Sequence, residues 1–210
     1  MPALVPPPAL LQNNESPLLL ASGSHSRRRM LENAGLVFES LTPGVDEDSI
    51  KHQARKAGCN AATTALKLAE AKALAVAGGD AVVIGADQML SCQDRWYDKP
   101  TSLEDARAQL RTLRGQTHCL HTAVVLARHG QVVWRHVEEP RLSMRAFSDT
   151  FLTRYLQAEG ARCLSSVGAY RLEGPGLLLF WHIEGDSFTI QGLPMLALMA
   201  ALRQMNVLLD

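Results

Sequence analysis

The sequence has no surplus of either charge: 21 basic and 21 acidic side chains cancel over 210 residues. A non-specific nucleic-acid binder needs a basic excess, so a nucleic-acid polymer is not an expected partner. A local basic pocket stays open. No apolar run approaches the roughly 20 residues that cross a bilayer, so no membrane partner is expected either. Cysteine is scarce, and Cys59, Cys92, Cys119 and Cys163 stand far apart with no CxxC pair. That argues against a zinc knuckle or thioredoxin-type site and for neutral thiols in a reducing cytoplasm. No GxxxxGK[ST] is present, which excludes a P-loop enzyme. No GxSxG surrounds Ser22, Ser24 or Ser26, which disfavours a serine esterase. Asp87 has no second Asp two positions on, so the paired-aspartate pattern of haloacid-dehalogenase-type phosphatases is missing. His118 and His121 are three apart in a strand-like run and fall on opposite faces, which argues against a shared metal there. The opening MPALVPPPALLQNNESP lacks a basic region and is broken by prolines, unlike a secretory signal. Residues 1–16 are expected to form a flexible tail ahead of a single domain over 17–210.

What is present suffices for a core: 47% of residues are hydrophobic. Leu18-Leu19-Leu20-Ala21 reads as a buried strand, Ser22–Ser26 as a polar turn, and Arg27–Ala34 as a helix closed by Gly35. A short strand is expected over Leu36–Leu41. From Asp48 to Ala77 the pattern is helical, divided at Gly58, with Ala65, Leu68, Ala69, Ala73 and Val76 on one stripe. Ala81–Ala86 is the strongest strand, β-branched and apolar, and is expected to deliver Asp87 and Gln88 at its carboxyl end. Ser102–Leu113 is a capped helix. His118–Arg128 and Gln131–Phe147 read as two strands around the hairpin signal His129-Gly130. Asp149–Glu159 is a helix stopped by Gly160, Leu177–Ile183 fits strand or helix, and Pro194 opens a last apolar helix running to about Met205. Strands alternating with helices, plus one hairpin, predict an α/β fold with a mixed sheet.

Four features carry possible chemistry. Ser22-x-Ser24-x-x-Arg27 lies between strand and helix, where backbone N–H groups, hydroxyls and a guanidinium suit phosphate oxygens. Ordinary N-capping with a solvated Arg27-Arg28-Arg29 face accounts for the same residues. Asp87, at the edge of a sheet, suits a divalent cation or a proton from water, and equally an Asx turn. Asp46-Glu47-Asp48 offers hard oxygen ligands, or simply an acidic helix start. Lys72 and Lys99 are point cations able to neutralise phosphate, though either alone reads as a surface lysine.

In order along the chain, these segments resemble the Maf (septum formation protein) family of nucleotide pyrophosphatases. Leu19-Leu20-Ala21-Ser22-Gly23-Ser24-x-x-Arg27 is similar to its opening signature. Similar segments follow: Pro43-Gly44-Val45-Asp46-Glu47, Leu68-Ala69-x-x-Lys72-Ala73, Val83-Ile84-Gly85-Ala86-Asp87, Asp98-Lys99-Pro100, Leu113-Arg114-Gly115-x-x-His118, Gly168-Ala169-Tyr170, Ile183-Glu184-Gly185-Asp186 and Gly192-Leu193-Pro194. The resemblance spans about residues 17–206. It implies an elongated, twisted mixed sheet flanked by helices, in two lobes around a central cleft. It implies hydrolysis of nucleoside triphosphates between the α and β phosphates with Mg²⁺ or Mn²⁺, in a cytoplasmic homodimer. Ser22, Ser24 and Arg27 would bind the triphosphate, Glu47 and Asp87 would handle the metal and the attacking water, and Lys72 and Lys99 would stabilise the developing charge. Gln88 and Glu173 would contact the base, and at these two positions the chain resembles the branch acting on 7-methyl-GTP. Ser26 stands where the 7-methyl-GTP branch often has Trp, and Ser166 where the pyrimidine branch commonly has Lys. A pyrimidine (dTTP/UTP) pyrophosphatase and a non-catalytic nucleotide-binding regulator of cell division are the alternatives.

Overall fold

The computed structural model describes residues 11–13 and 17–209. Among these, eight strands form one mixed sheet: β1 (Leu18–Ala21), β2 (Glu39–Leu41), β3 (Val82–Cys92), β4 (Arg95–Tyr97), β5 (Thr117–Arg128), β6 (Gln131–Glu138), β7 (Arg141–Met144) and β8 (Phe180–Glu184). The helices are α1 (His25–Asn33), α2 (Glu47–Lys56), α3 (Ala61–Leu74), α4 (Leu103–Leu113), α5 (Asp149–Glu159), α6 (Ser187–Ile190) and α7 (Met195–Gln204). Short 3-10 turns cover Gly160–Ser165, Val167–Ala169 and Pro175–Leu179. Side-chain caps set most helix starts: Ser24, Asp46, Asn60, Ser102, Ser148 and Asp186 each accept a backbone N–H of the first turn.

The expected mixed α/β architecture, a sheet flanked by helices, is present. Its axis is the long antiparallel pair β3–β5, in register from Val83–Ala127 to Ser91–Cys119. On the outer edge of β3, β1 pairs in parallel up to Ala21–Gly85 and β4 pairs antiparallel from Leu90–Tyr97 onward. Between them, Ala86–Met89 has β5 alone as a strand neighbour among the described residues. On the outer edge of β5, β6 pairs up to Thr122–Glu138 and β7 from Cys119–Arg141. Glu139 and Pro140 interrupt that edge, and Pro140 has no N–H to offer the ladder. The sheet thus has two gaps, one on each side of its central pair.

Strand alternation sorts β3 into two faces. Val82, Ile84 and Ala86 pack with Leu31 of α1 and Leu198 and Leu202 of α7, while Leu90 and Cys92 join Leu110 and Leu113 of α4 and Leu152 of α5. On the opposite face Val83 and Met89 pack with Ala65, Leu68, Ala69 and Ala73 of α3. Gly85 lies where α3 crosses most closely: a Cβ there would sit 2.2 Å from the Ala69 carbonyl oxygen.

Several expectations need correction. Asp87 is in the middle of β3, not at its end, because β5 continues to pair beyond it and Lys72 neutralises it. The strand expected over Leu36–Leu41 shortens to Glu39–Leu41, matching the reach of β1. The single strand expected from Gln131 is two, split at Pro140. The Leu177–Ile183 alternatives are each half right, a 3-10 turn giving way to β8 at Phe180. Within the expected tail, Gln12 forms a bridge with Leu208 and exchanges two 3.0 Å hydrogen bonds with the Val37 backbone. Residues 1–10 and 14–16 of that expectation lie outside the described residues. Burial raises the thiol pKa of Cys92, Cys163 and Cys119, the last to about 11, so these three are neutral thiols.

Candidate active site

The gap on the β3 edge opens into a cleft of about 300 Å³. Its lining includes Ser24, Arg27, Glu47, Lys72, Asp87, Gln88 and Lys99. Ser22 lines an adjoining recess with Ser24, Arg27 and Lys99, and Glu173 lines a second recess that shares Ser26 and Gln88 with the cleft. All nine residues singled out from sequence therefore converge on one connected region.

Each arrives by a separate local device. The β1–α1 turn brings Ser22 and Ser24; Ser24 caps α1 and Ser22 Oγ accepts a 3.2 Å hydrogen bond from Arg27 Nη1. Arg27 Nε donates to the Gly192 carbonyl at 2.8 Å, so the buried guanidinium is braced from both ends of the chain. Burial pulls its pKa down, while Asp87 and Glu47 pull it back up. Glu47 opens α2 behind the Asp46 cap. Lys72 lies in the last turn of α3, on its buried stripe, and its Nζ contacts Asp87 Oδ1 at 2.6 Å and Glu47 Oε1 at 2.7 Å. Asp87 is only 6% exposed. Burial pushes Glu47 upward, but the Lys72 hydrogen bond and charge, with Lys51 and Lys99, outweigh it and hold its pKa below the usual value. Lys99, beyond β4, has its ammonium pKa lowered by partial burial and by its neighbours Arg27 and Lys72.

Gln88 points to the other face of β3. Its Nε2 donates to Thr122 Oγ1 at 2.8 Å and to the Thr189 and Ile190 carbonyls at 3.1 Å. Its donor end is thereby committed to β5 and α6, which turns the amide into an acceptor for anything entering the recess. Glu173 lies beside Ser26, whose hydroxyl donates to Glu173 Oε1 at 3.4 Å. Behind it, Arg171 clamps the fully buried Glu159 carboxylate with contacts of 3.1 and 3.2 Å.

Lys51 was not singled out from sequence and Asp98 only as part of the Asp98-Lys99-Pro100 segment, with no role given to it, yet both line the cleft, joined by a 2.6 Å ion pair. Burial lowers the Lys51 pKa, but the Asp98 hydrogen bond and charge, then Asp87 and Glu47, raise it overall. Lys51 follows Glu47 by four residues, so helical spacing was the available signal. With them the cleft carries four cations (Arg27, Lys51, Lys72, Lys99) and four carboxylates (Glu47, Asp48, Asp87, Asp98). Such a lining is neutral overall. A polyphosphate entering it needs further positive charge, and the convergent carboxylates Glu47 and Asp87 offer hard oxygen donors of the kind divalent cations take.

The chain is 52% identical to the nucleoside triphosphate pyrophosphatase of Granulibacter bethesdensis over 91% of its own length and 98% of that protein's. It is 49% identical to the nucleoside triphosphate pyrophosphatase of Rhodospirillum rubrum over the whole of both chains. It is 47% identical to the 7-methyl-GTP pyrophosphatase of Rhizobium meliloti over 91% of its length and 97% of that protein's. The sequence profile described as Maf-like protein matches residues 17–205, and the chain belongs to that family.

Proposed function

We propose that this chain is a nucleoside triphosphate pyrophosphatase, hydrolysing the α–β phosphoanhydride to a nucleoside monophosphate and pyrophosphate. The observation that carries this reading is the Glu47–Lys72–Asp87 cluster facing Arg27 and Lys99 across one cleft. The activity is assigned to a single catalytic domain over residues 17–210, working in the cytoplasm as a homodimer.

Ser22, Ser24 and the α1 N-terminus bind phosphate oxygens, with Arg27 as a fixed planar donor. Asp87 takes a proton from water as that water attacks the α phosphorus; the bond from this phosphorus to the bridging oxygen breaks, and pyrophosphate leaves with the electron pair. Lys72 fixes the two acids and, with Lys99, faces the negative charge that grows on the phosphoryl oxygens. Glu47 and Asp87 would hold Mg²⁺ or Mn²⁺, which supplies charge neutralisation and Lewis acidity when bound.

The base occupies the recess of Gln88, Ser26 and Glu173. Both long side chains present acceptor oxygens there, which suits the donor edge of a guanine, and a carboxylate suits a cationic 7-methylated one. The substrate is therefore of the 7-methyl-GTP type in preference to UTP or dTTP.

Purified protein with Mg²⁺ is expected to release pyrophosphate, not orthophosphate, from 7-methyl-GTP faster than from GTP, UTP or dTTP. Asp87→Asn is expected to lower that rate by about 10²–10⁴-fold while triphosphate binding survives. Orthophosphate as the product, or an unchanged rate in the variant, overturns the reading.

A further inference from the structure

The second gap in the sheet, on the β5 edge, holds a different set of groups. Thr122 pairs with Glu138 and Cys119 with Arg141, so the same register carried across Pro140 sets Glu139 opposite His121. Cys119 and His121 are two apart on β5 and share a face. On the other side of β5, Ser91 pairs with Cys119. The ligand-capable atoms of Cys119, His121 and Glu139 all lie within 4.8 Å of one another. His121 Nδ1 is 2.5 Å from Glu139 Oε1, and His121 Nε2 is 2.7 Å from Ser91 Oγ. Ser91 and His121 also line an open cavity of about 820 Å³, bounded by Arg55, Asn60, Arg95 and Trp96, which brings solvent to the His121 ring.

We propose that Cys119, His121 and Glu139 form a binding site for a zinc-type divalent ion, separate from the phosphate cleft. A thiolate, an imidazole and one carboxylate are the donor mixture that Zn²⁺ takes, with a fourth position left to solvent. Nδ1 is the ligating nitrogen, because Nε2 is held by Ser91. A metal-bound histidine characteristically has its second ring nitrogen fixed in this way. The ion displaces the Cys119 thiol proton to solvent, and its charge offsets the burial and the Glu139 carboxylate that otherwise keep this thiol neutral. Tetrahedral Zn²⁺ sets its ligand atoms roughly 3.3–3.8 Å apart. The cluster's ligand atoms already lie within 4.8 Å of one another, and the half-exposed Glu139 side chain has room to adjust to that spacing.

A Ser91–His121–Glu139 hydrolytic triad is the rival use of the same groups. Ser91 lies within a strand paired on both sides, with Cys119 and with Trp96. A serine in that position lacks the pair of free backbone N–H groups that an oxyanion needs.

The test uses the full, reduced chain in excess Mg²⁺, titrated with Co²⁺ and with Zn²⁺. One equivalent of Co²⁺ is expected to give the near-ultraviolet thiolate-to-cobalt charge-transfer band, and Zn²⁺ is expected to abolish that band competitively. Cys119→Ser is expected to lose the band. Ser91→Ala is expected to keep it with affinity about 10–100-fold weaker. Should Cys119→Ser fail to fold, Glu139→Gln, at a half-exposed side chain, is expected to weaken Zn²⁺ at least tenfold. Absence of the band in the unmodified chain, or Zn²⁺ binding unchanged in Cys119→Ser and Glu139→Gln, overturns the proposal. Neither outcome bears on pyrophosphate release.

Discussion

Lys72 and His118 are both buried polar side chains, and they meet desolvation in opposite ways. Lys72 is held between two carboxylates at 2.6 and 2.7 Å. His118 has no carboxylate partner. Its Nε2 bonds the Tyr170 hydroxyl at 2.8 Å, its ring lies against Tyr170 and Phe180, and its Nδ1 is unpaired among the described residues. Burial pushes its pKa down to about 4, so it folds as a neutral ring. Unfolded, the same histidine titrates near 6.5. Between these values the unfolded chain binds the extra proton, so stability is full above about pH 6.5 and falls as pH drops toward 4. The loss from this one group approaches about 3 kcal/mol. His118→Gln leaves Tyr170 a partner but removes the titration. Urea unfolding of the two proteins at pH 7 and pH 4.5 is expected to show a smaller pH difference for the variant; equal differences would refute the assignment.

The helix α3 and strand β3 act as one element, since the catalytic proposal depends on Lys72 of the first meeting Asp87 of the second. Their separation is set at Gly85, where a methyl group would strike the Ala69 carbonyl and the Ala73 backbone nitrogen, at 2.2 and 2.7 Å. Backbone atoms cannot swing aside as a side chain end does. Gly85→Ala is expected to cost about 1–3 kcal/mol, read as a lower urea midpoint, and to reduce pyrophosphate release by moving Lys72. Gly44→Ala, at a position with open space around it, is expected to leave the midpoint unchanged. Local signals made many element boundaries legible in sequence: α5 begins after the Ser148 cap and ends before Gly160, as its residues state. Pairing between distant segments was not legible. Asp87 reads as a strand terminus because polarity begins there, and only Lys72, arriving on α3, allows the strand to run on. The tiny strand β4 lies among turn-forming residues, and its existence depends on Leu90–Cys92 being present to pair with it. The same limit hid Glu139 from His121, since their meeting depends on the β5–β6 register and not on a spacing motif.

Across the whole molecule, equal numbers of opposite charges conceal a sorted distribution. Four cations and four carboxylates line a single cleft, so attraction of a polyphosphate depends on local arrangement and not on net charge. The nine residues chosen from sequence come from the β1–α1 turn, α1, α2, α3, β3, the segment after β4, and the turns before β8. Motif order made them recognisable as a set, while only the folded sheet shows why: β1 stops and β4 has not yet begun. The pairing of Gln12 with Leu208, reinforced by the Leu209 N–H to Leu11 carbonyl bond at 2.9 Å, places the first and last described segments side by side. Chain order is consequently separable from architecture. A circular permutant in which a short flexible linker joins Leu209 to Leu11, opened at the exposed His129–Gly130 hairpin tip, is expected to fold with the same circular dichroism spectrum and to keep pyrophosphate release within about tenfold of the parent.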